Sequence, residues 1–273
     1  MAVPEPSVLL PGISMAGFGF RRRLASAVQI EMVAHPSLTM IIDFSVEGGI
    51  AHGSAGPTQY GSFVAGLLPG SLLAGGLDGE CLQLRLSPVM ARAVLGVSAE
   101  LTGRMIGLEQ ILGQTARTLE NAMRAARSWD ERFRIVADFV VDRIDNQPTI
   151  EPEVDLAWQR ILAARGTIRV EELAAEVGRT RQWLWTRFRT QLGITPKRAG
   201  QLARFDHAAH LLAAGRAAAD VAVESGYVDQ SHLHREVRTI TGSTPRAVAV
   251  APWLAIDDVA WPDHPGVAPR AIL

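Results

Sequence analysis

Two stretches in the C-terminal third of the chain carry side chains suited to contacting nucleic acid. In each stretch apolar residues recur at helical spacing, so the remaining positions lie on the opposite side of a helix. Arginine can hold phosphate or guanine, glutamine and serine can bond to base edges, and apolar groups can meet thymine methyls. The outward positions are Arg181, Gln182, Trp185, Thr186 and Arg189 in the first stretch and Gln230, Ser231, His234, Arg235 and Arg238 in the second.

Residue type narrows the roles of four of these side chains. Arg235 can hold a guanine with two hydrogen bonds, and Gln230 can either pair with adenine or bind phosphate. Phosphate contact is the expected role of Arg189 and Arg238. Both stretches are therefore expected to serve as recognition helices.

The segment from 165 to 250 contains an internal repeat. Ala174 and Gly178 in the first copy have counterparts 48 residues later, whereas Gly193 and the Thr195-Pro196 pair have counterparts 49 residues later. Such self-similarity predicts two copies of one supersecondary unit, the second with one extra turn residue.

Each copy contains the parts of a helix-turn-helix unit. In the first copy, 170–177 is the expected supporting helix, Gly178 the left-handed stop and Thr180 the N-cap of the recognition helix. In the second copy, 220–225 and Gly226 play these parts with Asp229 as the N-cap. A long helix over 197–214 is expected to join the units and to set their recognition helices about 34 Å apart, one turn of B-DNA.

The charge distribution agrees with this assignment. The whole chain has a formal net charge of -1, but residues 165–250 hold 13 Lys and Arg against 8 Asp and Glu, a net of +5. Residues 1–150 hold 12 Arg against 14 Asp and Glu, a net of -2. Local cations are what phosphate binding needs, so only the C-terminal segment is suited to it.

The N-terminal half predicts an antiparallel β unit followed by helices. Alternating or β-branched-rich stretches predict strands near 28–32, 38–46 and 82–86, separated by glycine-rich turns such as Gly75-Gly76. Helices are expected at 88–96, 108–126 and 129–145. The apolar stripe of the second helix is expected either to pack on the sheet or to form a dimer seam.

These patterns divide the chain into four parts and define an α+β fold. We predict a β-rich effector or dimerisation domain with a helical extension over 1–145, a proline-containing linker over 146–153 and an all-α domain over 154–250. The all-α domain consists of the two helix-turn-helix units and the long helix that joins them. Residues 251–273 form a proline-rich acidic tail with Trp253 and Trp261 as its large anchors.

The C-terminal segment resembles the AraC/XylS family of bacterial transcription regulators. The resemblance covers roughly 160–250 and is most specific in Asp220 to Leu233 followed by Arg235, with support from Leu192 to Pro196 and from Arg204-Phe205 with Ala208. It implies seven helices, two recognition helices in successive major grooves, and a separate N-terminal effector or dimerisation domain.

Four positions depart from the family pattern. The family usually has a basic residue at Thr186 and a small or polar residue at Trp185, so readout by the first helix is expected to be weak, apolar or shape-based. Aromatic residues are common at Val237 and Val248, which bears on the packing of the last helix. The N-terminal half is similar to the sensor-like β domains often joined to such modules, through Phe63 to Gly66 and Leu95 to Val97.

Other chemistry finds little support in the sequence. Cys81 is the only cysteine, which excludes an internal disulfide and a zinc site of several cysteines, and we interpret it as structural instead of redox-sensing. His207 and His210 are three residues apart without a third metal ligand, and His35-Pro36 lacks the partners of a cupin-like metal site. Arg21 to Arg23 are read as a solvated turn in preference to an anion site or a second DNA contact.

We therefore expect a DNA-binding transcription regulator without catalytic residues, metal or cofactor, acting in the cytoplasm and not at a membrane. Its expected partners are double-stranded operator or promoter DNA, a small-molecule effector of unknown identity, RNA polymerase if it is an activator, and a second copy of the chain if it dimerises. The alternative is a protein whose function lies in a small-molecule-binding or enzymatic β domain, with the C-terminal module serving only to place that domain. No nucleophile with a base, paired carboxylates or phosphate loop in the N-terminal half favours an enzyme.

Overall fold

A computed structural model describes residues 12–20, 28–32, 34–45, 51–53, 59–67, 72–76, 79–144 and 150–250. The N-terminal part of this range contains nine strands. They are β1 (Ile13–Phe20), β2 (Val28–Met32), β3 (Leu38–Asp43), β4 (Ala51–Gly53), β5 (Gln59–Tyr60), β6 (Phe63–Ala65), β7 (Leu72–Gly76), β8 (Gly79–Leu86) and β9 (Met105–Gly107). The tail, the Arg21 to Arg23 run, Val46 and most of the predicted linker lie outside the described residues.

The strands form two antiparallel sheets with the strand order of a jelly roll. One sheet has the order β1-β8-β3-β6-β9 and the other β2-β7-β4-β5. β1 to β8, divided four and four between the sheets, follow the order of the double-sheet jelly roll, whose two sheets stack face to face, and β9 adds a fifth strand to the first sheet. The predicted α+β class is confirmed, although β1 was not predicted and Gly75-Gly76, expected as a turn, lie within β7.

The two faces of the five-stranded sheet differ in composition. Strand alternation places Leu82, Leu84 and Leu86 on one face with Met40 and Ile42, in the main hydrophobic core. The opposite face, here called the inner face, carries a small apolar cluster formed by Ile41, Phe63, Ala65 and Cys81. It also carries four buried polar side chains, which are Thr39, Asp43, Gln83 and Arg85.

Four helices cover the apolar face of this sheet. They are α1 (Pro88–Leu95), α2 (Leu108–Leu112), α3 (Gln114–Ala125) and α4 (Trp129–Ile144), with a short 3-10 helix at Ala99–Leu101. The helix expected over 108–126 is thus divided at Gly113. Leu119 and Met123 of α3 are buried in the core, so this part of the apolar stripe packs within the chain.

The C-terminal part is entirely helical. It contains α5 (Pro152–Ala163), α6 (Val170–Glu176), α7 (Arg181–Leu192), α8 (Pro196–Ala213), α9 (Ala218–Glu224), α10 (Gln230–Thr241) and α11 (Pro245–Ala249). The family favours aromatic residues at Val237 and Val248. Both valines are fully buried, so α11 packs here without aromatic side chains at these positions. Among the described residues, no helix is long and apolar enough to cross a membrane.

Candidate nucleic-acid interface

The first helix-turn-helix unit folds as its sequence predicts. α6 ends before Gly178, which adopts a left-handed φ of 67°, and the Thr180 hydroxyl accepts a hydrogen bond from the backbone N–H of Trp183 to begin α7. Leu184, Phe188 and Leu192 are buried beneath α7. The five predicted contact residues of this helix are all exposed.

The second unit has the same construction. The Asp229 carboxylate accepts from the backbone N–H of His232 at 2.7 Å and begins α10. Leu233, Val237 and Ile240 are buried, and all five predicted contact residues of α10 are exposed. Thus the ten predicted side chains lie on the open faces of two equivalent helices.

The repeat extends to how the two helices end. α7 and α10 both contain 12 residues and end at a left-handed glycine, Gly193 or Gly242. Each is followed by a Thr N-cap and a Pro at the first position of the next helix, which are Thr195-Pro196 and Thr244-Pro245. Equivalent positions of α7 and α10 are therefore 49 residues apart in the sequence, and Thr186 is equivalent to Arg235.

Three of the predicted contact arginines make solvent-exposed contacts within the protein. Arg181 forms an ion pair with Glu171 at 2.9 Å, and the Arg189 guanidinium lies 5.2 Å from the centre of the Trp185 ring. Arg235 donates from Nε to the Ser231 carbonyl oxygen at 3.3 Å. Exposed contacts such as these three contribute little free energy. Arg181, Arg189 and Arg235 can therefore exchange them for contacts with phosphates or bases.

The start of α8 adds two cations that the sequence reasoning missed. Lys197 lines a cleft with Arg181, Gln182 and Trp185, and Arg198 lines a second cleft with Arg235. Partial burial lowers the pKa of Arg198, while the charge of Glu236 opposes that shift. The one feature of the sequence that set Lys197 apart is that it is the only lysine of the chain. The start of α8 thus places one cation beside each recognition helix.

A polar network fixes α10 to α8. Arg204 donates to Oε2 of Glu236 at 2.9 Å, and the Tyr227 hydroxyl donates to Oε1 of Glu236 at 3.0 Å. The Arg204 guanidinium also lies 5.0 Å from the centre of the Tyr227 ring. Burial tends to lower the pKa of Arg204, but the hydrogen bonds and charge of Glu236 outweigh it and raise that pKa. Burial and Glu236 together raise the pKa of Tyr227.

The histidines and the cysteine considered as sites have other contacts. Arg165 donates to Nε2 of His207 at 3.0 Å, and Nδ1 of His210 is 2.8 Å from the carbonyl oxygen of Asp206. Burial, followed by the charge of Asp43, raises the pKa of Cys81 to about 12, which disfavours the reactive thiolate. No group of three metal-ligating side chains occurs in the described part of the chain.

Comparison with known proteins supports the assignment of the C-terminal units. Residues 173–249 match the family model described as a helix-turn-helix domain. These residues are an AraC-type double helix-turn-helix domain, which confirms the resemblance noted above for this segment. The chain is a DNA-binding transcription regulator that carries this domain.

Solved structures of similar form include three regulators. ToxT from Vibrio cholerae is 11% identical, with 87% of this chain and 97% of that chain covered and a TM-score of 0.47. The C-terminal domain of AraT, a response regulator from Geobacillus stearothermophilus, is 21% identical over 37% of this chain and 85% of that chain, with a TM-score of 0.35. The AraC-like transcriptional activator CuxR is 16% identical over 67% and 72%, with a TM-score of 0.32. A search of curated protein sequences finds no match.

Proposed function

We propose that α7 and α10 enter successive major grooves of one duplex and read an operator of two half-sites. The observation that carries this proposal is the exposure of all ten predicted contact side chains on equivalent faces of two helices of equal length. Lys197 and Arg198 lie between these helices and add phosphate contacts at the centre of the site.

The two helices are proposed to read DNA differently. Arg235 supplies a charged fork for guanine, whereas its counterpart Thr186 offers a methyl and a hydroxyl that already donates to the Gln182 carbonyl oxygen at 2.9 Å. Trp185, 44% exposed, offers a large apolar surface to thymine methyls. The second half-site therefore contributes more base discrimination than the first.

Selection from a random duplex library by the full-length protein tests this proposal. We expect the bound sequences to share two half-sites about one helical turn apart. Salt titration of the selected duplex should show a steep loss of affinity, because several cations displace counterions. Binding that depends on salt but selects no shared sequence would contradict specific readout.

We further propose that the N-terminal domain binds a small-molecule effector between its two sheets. The inner face of the five-stranded sheet supports this, because Thr39, Asp43, Gln83 and Arg85 are each at most 8% exposed there, beside the apolar Ile41 cluster. Jelly rolls stack their sheets face to face, which encloses this mixed polar and apolar surface. Such a lining suits a ligand with an apolar body and a few polar groups.

Native mass spectrometry of the purified full chain tests the effector proposal. We expect a small molecule to be retained by the wild type and lost in Gln83→Leu, which keeps the side-chain volume but removes the amide. Arg92→Gln, a change in a half-buried ion pair between α1 and Glu100, is the control and should retain the small molecule. Equal retention by both variants would contradict a ligand on the inner face.

The remaining roles follow from DNA binding. Regulation by DNA binding requires no catalysis, so we propose that the protein is not an enzyme. A regulator of bacterial promoters acts at the chromosome, which places its proposed action in the cytoplasm. Contact with RNA polymerase, if the protein activates, and pairing with a second copy belong to the same proposal.

A further inference from the structure

The first recognition helix ends directly against the N-terminal domain. The Thr102 hydroxyl donates to the backbone carbonyl oxygen of Leu192, the last residue of α7, at 3.3 Å. A Cβ atom at Gly193 would lie 2.3 Å from the Thr102 hydroxyl oxygen and 2.7 Å from the Ala99 carbonyl oxygen. The 3-10 segment therefore touches the helix end so closely that only glycine fits there.

The last turns of α7 are also held from the linker side. The backbone N–H of Glu151 donates to the side-chain oxygen of Gln191 at 2.9 Å, and the Glu151 carboxylate is 3.5 Å from Nε of Arg187. The last turn of α7 thus meets two segments that lie outside its own helix-turn-helix unit.

The 3-10 segment is itself attached to the sheet. The backbone N–H of Gly66 donates to the Arg104 carbonyl oxygen at 2.9 Å, and that of Gly103 donates to the Leu67 carbonyl oxygen at 3.0 Å. A Cβ atom at Gly66 would lie 1.8 Å from the Leu101 carbonyl oxygen, so the two backbones are in direct contact. Gly66 follows β6, whose residues Phe63 and Ala65 belong to the inner face. Direct contacts consequently link the inner face to α7.

At the equivalent end of the second recognition helix, the described residues make no such contact. Gly242 has a φ of 71°, close to the 76° of Gly193, but no described atom lies within 4 Å of the position that its Cβ would occupy. The shared left-handed conformation explains why both positions are glycine. The additional contact at Gly193 belongs to the first unit alone.

We infer that the segment Ala99–Thr102 positions the first recognition helix, so that the N-terminal domain sets how one half-site, and not the other, is read. The segment touches the C-terminal end of α7, whereas Arg181, Gln182, Trp185, Thr186 and Arg189 remain exposed. The contact therefore orients the DNA-reading face without covering it. This inference rests on the proposed two-half-site function and names the helix on which regulation acts.

Two matched variants of the full chain, Gly193→Ala and Gly242→Ala, test the inference. Both place a side chain at a left-handed position of similar φ and carry a similar backbone cost. Affinity is measured for the selected duplex and for duplexes with one or the other half-site scrambled. The half-site of α10 is the one at which Arg235→Ala relaxes base preference.

We expect Gly193→Ala to reduce the penalty for scrambling the α7 half-site by about tenfold, while the penalty at the α10 half-site is unchanged. Gly242→Ala should leave the α7 penalty at its wild-type value. Thr102→Val, which removes the hydroxyl without changing side-chain shape, should act in the same direction as Gly193→Ala by a smaller factor. It supports or opposes the inference even if Gly193→Ala fails to fold.

Two results would overturn the inference in distinguishable ways. The segment does not position the helix if the α7 penalty is the same in Thr102→Val, Gly193→Ala and Gly242→Ala. The same conclusion follows if loosening the contact raises the affinity for the duplex without altering that penalty. If the wild type itself shows no half-site preference, the proposed function fails and the inference fails with it.

Discussion

The two helix-turn-helix units have the same fold but are held in place by different means. α7 is contacted from outside its unit by Thr102 of the N-terminal domain and by Glu151 of the preceding segment. α10 is held from within the C-terminal domain by Arg204 and Tyr227. A repeat can therefore conserve helix lengths and caps while its copies differ in what controls their position.

The equivalent residues Arg187 and Glu236 illustrate this difference. Each is the seventh residue of its recognition helix. The Arg187 side chain is 44% exposed and pairs with Glu151 at 3.5 Å, whereas the Glu236 side chain is 9% exposed and bonds to two partners. Exposed pairs are exchangeable, and buried networks are rigid. We therefore propose that the second unit is the fixed one and that the first is adjustable.

The largest expected effect is on stability and comes from Glu236→Gln. This change leaves the 18%-exposed Arg204 without a buried counter-charge, so we expect a loss of about 3 kcal/mol in the free energy of unfolding. Its matched control, Arg187→Gln, should cost less than about 1 kcal/mol because its pair is exposed. Denaturant unfolding of the full chain measures both, and equal small losses would contradict the distinction between the units.

A somewhat smaller effect is expected on DNA binding. Arg235→Ala should cost about 2 kcal/mol on the selected duplex and relax preference at one base pair, because a guanine contact is lost. Thr186→Ala, at the equivalent position of α7, should cost less than about 1 kcal/mol, the net worth of a single neutral hydrogen bond. Binding titrations with single-base variants of the duplex measure both. A uniform loss on all sequences for Arg235→Ala would instead indicate a phosphate contact.

Local features of the site were predictable from the sequence because they depend on neighbouring residues. The caps at Thr180 and Asp229 and the exposure of the ten outward side chains follow from helical spacing and short-range hydrogen bonding. The repeat added the equivalence of the two units, which short-range patterns alone do not show.

Features that join distant parts of the chain were not predictable in this way. Arg204 and Glu236 are 32 residues apart, and helical spacing alone does not indicate that they meet. The sequence showed Gly193 only as part of the internal repeat, because its contact with Ala99 and Thr102 depends on how the N-terminal and C-terminal parts of the chain pack together. β1 was missed because its residues alternate weakly and because its partners in β8 lie 59 to 73 residues further along the chain.

The smallest expected effect concerns the N-terminal side of the comparison and is a pH dependence. Burial, followed by the charges of Arg85 and His210, lowers the pKa of His35 well below its usual value. The folded state therefore binds fewer protons than the unfolded state, so stability is present above about pH 6.5 and is lost as the pH falls below it.

Acidification from pH 7.5 to 5.5 should therefore lower the free energy of unfolding through this histidine. Comparing unfolding of the wild type and His35→Gln at both pH values isolates it, because the other titrating groups are common to the two proteins. The variant should lose less stability on acidification, whatever its stability at pH 7.5. An equal loss of stability in the two proteins on acidification would contradict the assignment of this pH dependence to His35.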